Sequence, residues 1–128
     1  MNATVALIDG DVAARELEAR GLQGAGLAIE QFDCARAFFS ATAPPGPRCA
    51  VVDAGLPDMT GQQFRAELAP RGLDVPTMFL VGEAQVDLAV SLMKSGATDV
   101  LVKPVNDAEL LRRLRRVVGE SSHSKLRP

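Results

Sequence analysis

The stretch Cys49–Asp53, CAVVD, together with the loop Ala54–Gly61, AGLPDMTG, decides the fold of this chain. A run this short and this apolar is typical of a strand that is buried on both faces of a parallel sheet. The carboxylate of Asp53 ends the run and directly precedes a turn-rich loop. Because open α/β sheets bind their ligands at the carboxyl ends of the strands, Asp53 lies where a functional group is expected.

Two further apolar runs also end in charged residues. Val5–Ile8 is followed by Asp9 and Asp11, and Val100–Val102 is followed by Lys103. Since parallel strands place their carboxyl ends along one edge of the sheet, we expect these carboxylates and this single ammonium group to meet Asp53 there. This combination of charges suits an aspartate that accepts a phosphoryl group.

Five strand-like runs alternate with five helix-like runs, which predicts a parallel sheet with right-handed crossovers. Asn106 is expected to cap the last helix, and Gly96 is expected to follow the fourth. The predicted strands are Val5–Asp9, Ala28–Phe32, Cys49–Asp53, Thr77–Val81 and Asp99–Val102, and the predicted helices lie near Val12–Gly21, Cys34–Ala41, Gln62–Ala69, Gln85–Ser95 and Asp107–Val118.

Composition narrows the class of protein. A chain of 128 residues predicts one domain. A net charge of −2, with neither Trp nor Tyr, gives no reason to expect a nucleic-acid surface. The first residues lack the charged and apolar regions of a signal peptide, and no apolar stretch is long enough to span a membrane. We therefore expect a cytoplasmic protein, in which Cys34 and Cys49 are reduced thiols without metal-ligand spacing.

Four short motifs, in this order, resemble the receiver domain of two-component response regulators. They are Val51–Asp53, Leu56–Gly61, Lys94–Ala97 and Lys103–Pro104. The resemblance covers roughly Thr4 to Val118 and is nearest to regulators of the FixJ type. It implies a flavodoxin-like (βα)5 fold, in which a five-stranded parallel sheet of order 2-1-3-4-5 carries helices on both faces.

The resemblance also implies roles for individual residues. Asp53 matches the phosphoacceptor, Asp9 matches the first residue of the acidic pair, and Lys103 matches the lysine that binds the acyl phosphate. Mg²⁺ would be held by Asp9, Asp53 and the backbone carbonyl of Gly55. The peptide bond before Pro104 is expected to be cis.

Three positions depart from the family pattern. Gly10 replaces the second acid of the pair, which is usually the direct metal ligand. Val81 replaces the hydroxyl residue that bonds to the phosphoryl group, at a loss of roughly 1.5–3 kcal/mol. Val100 replaces the aromatic switch residue. We expect weakened Mg²⁺ binding and poor switching. Asp11 can substitute as a ligand or can serve the first helix as an N-terminal anion, and the sequence leaves both interpretations open.

Two functions remain in view. The first is an atypical receiver whose Asp53 is phosphorylated by a histidine kinase or phosphotransfer protein, with at most self-phosphorylation from small donors and autodephosphorylation as activity. The alternative is a phosphorylation-independent pseudo-receiver. Its fourth helix, fifth strand and fifth helix would form a docking or homodimer face. A hydrolase that uses Asp53 as nucleophile is disfavoured, because Gly55 stands where such enzymes usually carry a second acid.

The carboxyl-terminal residues are interpreted by composition. Residues 1–119 are expected to form the receiver domain, and residues 120–128 a polar tail or the start of a linker, with disorder in the polar run from Ser121. Whether a linker to an output domain begins here is left open. The arginines of the last helix are interpreted as a solvated face opposite its leucine stripe: Arg112, Arg113, Arg115 and Arg116.

Overall fold

The fold is a single parallel sheet covered by helices on both faces. A computed structural model describes residues 3–126, and for residues 119–126 it describes the backbone alone. The five strands lie in the order β2-β1-β3-β4-β5, and every neighbouring pair is parallel, which confirms the expected topology. The elements are β1 Thr4–Ile8, α1 Val12–Gly24, β2 Ala28–Phe32, α2 Ala35–Ser40, β3 Arg48–Asp53, α3 Gly61–Leu68, β4 Thr77–Val81, α4 Val86–Lys94, β5 Asp99–Val102 and α5 Asp107–Leu126.

The helix ends follow local chemistry. The Thr60 hydroxyl accepts from the Gln63 amide at 3.1 Å, and the Gln63 side chain accepts from the Thr60 amide at 2.9 Å, so a capping box begins α3. The Asn106 side chain accepts from the Glu109 amide at 3.1 Å and caps α5, as predicted. Gly96 follows α4 at φ +104°, a backbone conformation that favours glycine.

The last helix is longer than its sequence pattern predicts. The structure extends α5 to Leu126, whereas the apolar stripe ends at Val118 and disorder was expected from Ser121. Gly119 lowers helix propensity, but no proline before Pro128 removes a backbone donor, so the hydrogen-bond ladder can continue. The last two residues of the expected tail lie outside the described residues.

Two apolar layers cover the two faces of the sheet. One layer packs α1 and α5 against β1, β3, β4 and β5 and includes Leu7, Val51 and Leu114. The other packs α2, α3 and α4 against the opposite face. Its centre is Phe64, which is wholly buried and lies with ring centroids 5.4 Å from Phe38. Burial on both faces makes the sheet a rigid support for the residues at its carboxyl edge.

No helix in residues 3–126 combines the length and the apolar character that crossing a membrane requires.

Candidate functional site

Three strand ends converge on one charged cluster. Asp53 ends β3, Asp9 follows β1, and Lys103 follows β5. The Lys103 ammonium contacts Asp53 Oδ2 and lies 3.7 Å from Asp9 Oδ2. The Lys103–Pro104 peptide is cis, as the resemblance implies. The structure therefore brings together the three residues that the sequence singled out for the phosphorylation site.

Asp53 is held by charge on one oxygen and by the backbone on the other. The Gly55 amide donates to Asp53 Oδ1 at 2.7 Å, and Lys103 donates to Asp53 Oδ2. Partial burial pulls the pKa of Lys103 down, but its contacts with Asp53 and Asp9 raise that pKa above its ordinary value. Lys103 is therefore a cation at neutral pH.

Asp9 is the buried acid of the cluster. It is 2% exposed, and its Oδ1 accepts from the Asp11 amide at 2.9 Å. Its Oδ2 finds no hydrogen-bond partner among the described residues. Burial raises the pKa of Asp9, and the negative charge of Asp53 adds to that rise. A buried carboxylate oxygen without a donor is a position where a cation or a water molecule would be stabilised.

The residues beside Asp9 show what replaces the second acid of the pair. The Asp11 carboxylate accepts from the Ala14 amide at 3.2 Å and caps α1, which is the second of the two interpretations that the sequence left open. Gly10 lines a cavity of about 460 Å³ that Asp53 also lines. A Cβ atom at Gly10 would lie 3.2 Å from Pro57 Cδ, so a side chain there requires only a small shift of the proline ring.

The two other departures lie next to Lys103 and on the neighbouring surface. β4 runs between β3 and β5, and its last residue, Val81, is wholly buried and accepts the Lys103 amide at 2.7 Å. No side-chain hydroxyl is present at this position to bind a phosphoryl group. Val100 is half-buried and lines an apolar groove between β5 and α4 with Val90 and Met93.

Sequence reasoning missed two residues of α1 that reach the site. Arg15 donates to the backbone carbonyl of Asp9 at 2.6 Å. The carboxyl group of Glu18 interacts with those of Asp9 and Asp53 and with Lys103. The available signal was position, because Arg15 and Glu18 fall on the helix face that carries buried Ala19 and Leu22.

Glu18 is expected to make stability depend on pH. Burial, and then the charge of Asp9, raises the pKa of Glu18 to about 7 from 4.5. The folded protein therefore holds a proton that the unfolded chain has released, so stability is fully present below pH 4.5 and is lost as the pH rises through 7. Because glutamine does not ionise, we expect the free energy of unfolding of Glu18→Gln to fall less than that of the wild type as the pH rises. The difference is on the order of 1–2 kcal/mol after allowance for partial solvent screening.

Urea unfolding in EDTA, at pH 5 and pH 8, measures this effect. Glu16→Gln is the matched control, because Glu16 is an exposed glutamate on the same helix. An equal pH dependence in the wild type and in Glu18→Gln would contradict the expectation.

The oxygen atoms at this site resemble the ligands that Mg²⁺ prefers. Within residues 3–118, no three His, Cys, Asp or Glu side chains are arranged to hold a metal ion by themselves. Mg²⁺ needs few protein ligands, since it prefers oxygen and keeps several waters. The orphaned Oδ2 of Asp9, the Asp53 carboxylate and the Gly55 carbonyl therefore fit a hydrated divalent cation.

The loop after Asp53 is tied to the neighbouring helix. Asp58 Oδ1 and Oδ2 accept from the Ala35 amide at 3.0 Å and the Arg36 amide at 2.9 Å. Partial burial raises the pKa of Asp58, but the backbone hydrogen bonds together outweigh this effect and lower that pKa below its ordinary value. Cys34, which precedes α2, makes no side-chain capping bond. Asp58 therefore caps α2 from a distant part of the chain.

One arginine of α5 departs from the solvated face that the sequence predicts. Arg113 is half-buried and donates to both oxygens of Asp99 on β5, at 2.9 and 2.8 Å. It also donates to Glu109 on its own helix at 2.9 Å. The exposed Arg112 pairs with Glu109. Arg113 thus fastens α5 to β5, a role that the spacing of the arginines alone does not show.

The parallel sheet and the charged residues at its carboxyl edge are those of a receiver domain. The family model of the response regulator receiver domain matches residues 5–115, so the chain belongs to this family. Receiver domains are signalling domains rather than enzymes of the ordinary kind, and they generally use Mg²⁺ at the phosphorylation site.

The relatives point to the FixJ type. The chain is 38% identical over 118 residues to the transcriptional regulatory protein FixJ of Azorhizobium caulinodans, covering 92% of this chain and 56% of that protein. It is 33% identical over 109 residues to nodulation protein W of Bradyrhizobium diazoefficiens, covering 85% of this chain and 48% of that protein. This chain therefore spans about half the length of these relatives.

Two solved structures of response regulators superpose well on this chain. The crystal structure of FixJ-N superposes with a TM-score of 0.85 at 27% identity and covers 93% of this chain and 95% of that one. The chemotaxis response regulator CheY4 of Vibrio cholerae superposes with a TM-score of 0.77 at 28% identity and covers 91% of this chain and 99% of that one. The chain is thus a receiver domain of FixJ type.

Proposed function

We propose that this chain is an atypical receiver in which Asp53 accepts a phosphoryl group from a histidine kinase or a phosphotransfer protein. The observation that carries the proposal is the contact between Lys103 and Asp53 beside the buried Asp9. These groups lie at the carboxyl edge of the sheet, next to a cavity that is open to a donor. The proposed receiver comprises residues 1–119 and is cytoplasmic.

Transfer of the phosphoryl group to Asp53 is a displacement at phosphorus. An Asp53 carboxylate oxygen attacks phosphorus, an oxygen–phosphorus bond forms, and the phosphorus–nitrogen bond of the donor phosphohistidine breaks. The imidazole leaves with the bonding electron pair and takes up a proton. Lys103 already touches Asp53 and can turn its ammonium toward the new phosphoryl oxygens. A bound Mg²⁺ supplies charge neutralisation for those oxygens.

The proposed defect lies in what surrounds this pair. Gly10 supplies no carboxylate, Asp11 caps α1, and Val81 supplies no hydroxyl. We infer that the domain holds Mg²⁺ more weakly than a typical receiver and gains less free energy from its phosphoryl group. Moving a two-state equilibrium from mostly inactive to mostly active takes roughly 5.5 kcal/mol, so loss of one charge-assisted bond is a large fraction.

The second candidate is a pseudo-receiver that acts without phosphorylation, and Gly10, Val81 and Val100 favour it. In that case the face of α4, β5 and α5 would act as a fixed docking or homodimer surface. Exposed apolar residues on this face support the idea: Val86, Val90, Met93 and Val102. Arg113 fastens α5 to β5 and would keep the face in one shape.

Intact-mass analysis after incubation with acetyl phosphate and Mg²⁺ tests the two candidates. The wild type is expected to gain one phosphoryl group, while Asp53→Asn, which keeps the size of the side chain, is expected to gain none. Circular dichroism establishes that the variant is folded. Wild-type protein that gains no phosphoryl group, from acetyl phosphate or from a phosphorylated histidine donor, would exclude the phosphoacceptor and leave the pseudo-receiver.

A further inference from the structure

Gln85, which directly precedes α4, is held in one orientation by Gly82. Its backbone amide donates to the Gly82 carbonyl at 2.9 Å, and its side-chain Oε1 accepts from the Gly82 amide at 3.1 Å. Because a backbone amide can only donate, the side-chain atom that meets it must be the carbonyl oxygen of Gln85. The Nε2 group is therefore left over, and it donates no hydrogen bond to any residue that the structure describes.

This amide group faces the loop that follows Asp53. A Cβ atom placed on Gly55 would lie 3.3 Å from Asp53 Oδ1 and 3.9 Å from Gln85 Nε2. Apart from Gly55 and its two neighbours in the chain, no other atom of the described residues comes within 4 Å of that point. Gly55 is exposed and has no side chain. An open gap thus separates the acceptor carboxylate from the amide of Gln85.

A phosphoryl group on Asp53 would bring oxygens into this gap. Its three outer oxygens share negative charge, and hydrogen bonds to charged oxygens are stronger than those to neutral ones. The Gly55 amide and Lys103 already donate to the Asp53 carboxylate. Gln85 Nε2, by contrast, carries two N–H groups that have no acceptor in the described part of the chain. It is a donor that has no acceptor before the phosphoryl group arrives.

We propose that Gln85 is a phosphoryl-binding residue, whose side-chain NH2 group donates to the oxygens of a phosphoryl group on Asp53. Val81 lies four residues earlier and has no hydroxyl, so the donor comes from the segment that leads into α4. Gln85 neither gives nor takes a proton in the transfer, because it only donates hydrogen bonds. This inference rests on the proposed function and deepens it, since it assigns a further residue to the same site.

Two substitutions separate this role from capping of α4. Gln85→Glu keeps an oxygen for the Gly82 amide but removes the NH2 group, whereas Gln85→Lys keeps N–H donors but removes that oxygen. We expect Gln85→Glu to gain a phosphoryl group from acetyl phosphate about 10–100-fold more slowly than the wild type, the effect of one lost charge-assisted hydrogen bond. Gln85→Lys is expected to keep most of the wild-type rate.

The matched control is Gln63→Glu. Gln63 accepts from the Thr60 amide at 2.9 Å, so it caps α3 as Gln85 caps α4, and the same substitution adds the same charge. Its rate is expected to equal that of the wild type. Circular dichroism establishes that each variant is folded.

Beryllium fluoride gives a second readout, because it binds to an aspartate carboxylate in place of a phosphoryl group and needs no phosphodonor. Fluorine NMR in the presence of Mg²⁺ measures its affinity, which we expect to fall by the same factor in Gln85→Glu. Proton–nitrogen NMR follows the side-chain amide of Gln85 in the wild type, identified by the absence of its signals from either variant. Those signals are expected to shift on binding more than the amide signals of Gln63.

Several results would overturn the assignment. Wild-type rate and affinity in folded Gln85→Glu, or an equal loss in Gln63→Glu, would leave the phosphoacceptor standing without Gln85. A loss in Gln85→Lys alone would make Gln85 a cap and no more. If Gln85→Glu fails to fold, an unshifted Gln85 amide in the wild type overturns the assignment and a shifted one supports it. Wild-type protein that binds no beryllium fluoride and gains no phosphoryl group would refute both proposals. Binding of beryllium fluoride that depends on Gln85, without phosphorylation by any donor, would uphold the role of Gln85 and refute the phosphoacceptor.

Discussion

The double variant Gly10→Asp, Val81→Thr is expected to accept phosphate from acetyl phosphate about 10²-fold faster than the wild type. The threonine hydroxyl would donate to the phosphoryl oxygens as they gain charge, which is worth roughly 1.5–3 kcal/mol. Each 1.36 kcal/mol corresponds to about tenfold in rate. The aspartate would add a direct anionic ligand for Mg²⁺ beside Asp9.

The structure tolerates both changes. Gly10 has no positive φ, so an L-residue can adopt its backbone conformation, and its Cβ would meet Pro57 Cδ at 3.2 Å, a contact that a small ring shift relieves. Threonine at position 81 has nearly the shape of valine, although its hydroxyl must then be satisfied. The rate of mass gain at fixed acetyl phosphate and Mg²⁺ concentrations is the measurement.

The single variants and an added Asp53→Asn are the controls. Each single variant should gain part of the rate, and the triple variant should gain no phosphate. A folded double variant that reacts at the wild-type rate would show that neither the missing acid nor the missing hydroxyl limits the reaction.

Phe64→Ala is expected to lower the free energy of unfolding by about 3–5 kcal/mol, the cost of a large cavity in a packed core. Phe64 is wholly buried on α3, and its ring centroid lies 5.2 Å from Phe39, 5.4 Å from Phe38 and 6.4 Å from Phe79. Such a loss is a large fraction of the 5–15 kcal/mol that roughly bounds the stability of a domain.

Urea unfolding followed by far-UV circular dichroism measures this loss, because the chain has no Trp or Tyr for fluorescence. Phe64→Leu retains much of the volume and should cost clearly less. Leu17→Ala, at a position that is 64% exposed, should change stability by less than about 0.5 kcal/mol. A loss below about 1 kcal/mol in Phe64→Ala would mean that the neighbouring rings collapse into the space.

The main geometry of the site could be predicted from the sequence because it depends on strand ends. Asp9, Asp53 and Lys103 each follow a short apolar run, and parallel strands bring such residues to one edge. Once the order of the strands is known, β4 must separate β3 from β5, so Val81 had to lie between Asp53 and Lys103. These conclusions need only periodicity and topology.

The remaining features depend on tertiary contacts that periodicity does not encode. Glu18 reads as an ordinary helix glutamate until its face of α1 is known to be buried. Arg113 reads as one of several solvated arginines until β5 places Asp99 beside it. Asp58 lies 23 residues from Ala35 in the chain, so no local rule links its carboxylate to the start of α2.

The hydrogen bonds from the Ala35 and Arg36 amides to Asp58 couple the loop that follows Asp53 to the start of α2. α2 has only six residues, and a helix this short holds its first turn poorly without an outside acceptor. Any movement of the loop that breaks the hydrogen bonds to Asp58 is therefore expected to fray the first turn of α2 as well. The amide protons of Ala35 and Arg36 are therefore expected to exchange faster with solvent whenever the loop after Asp53 moves away from α2.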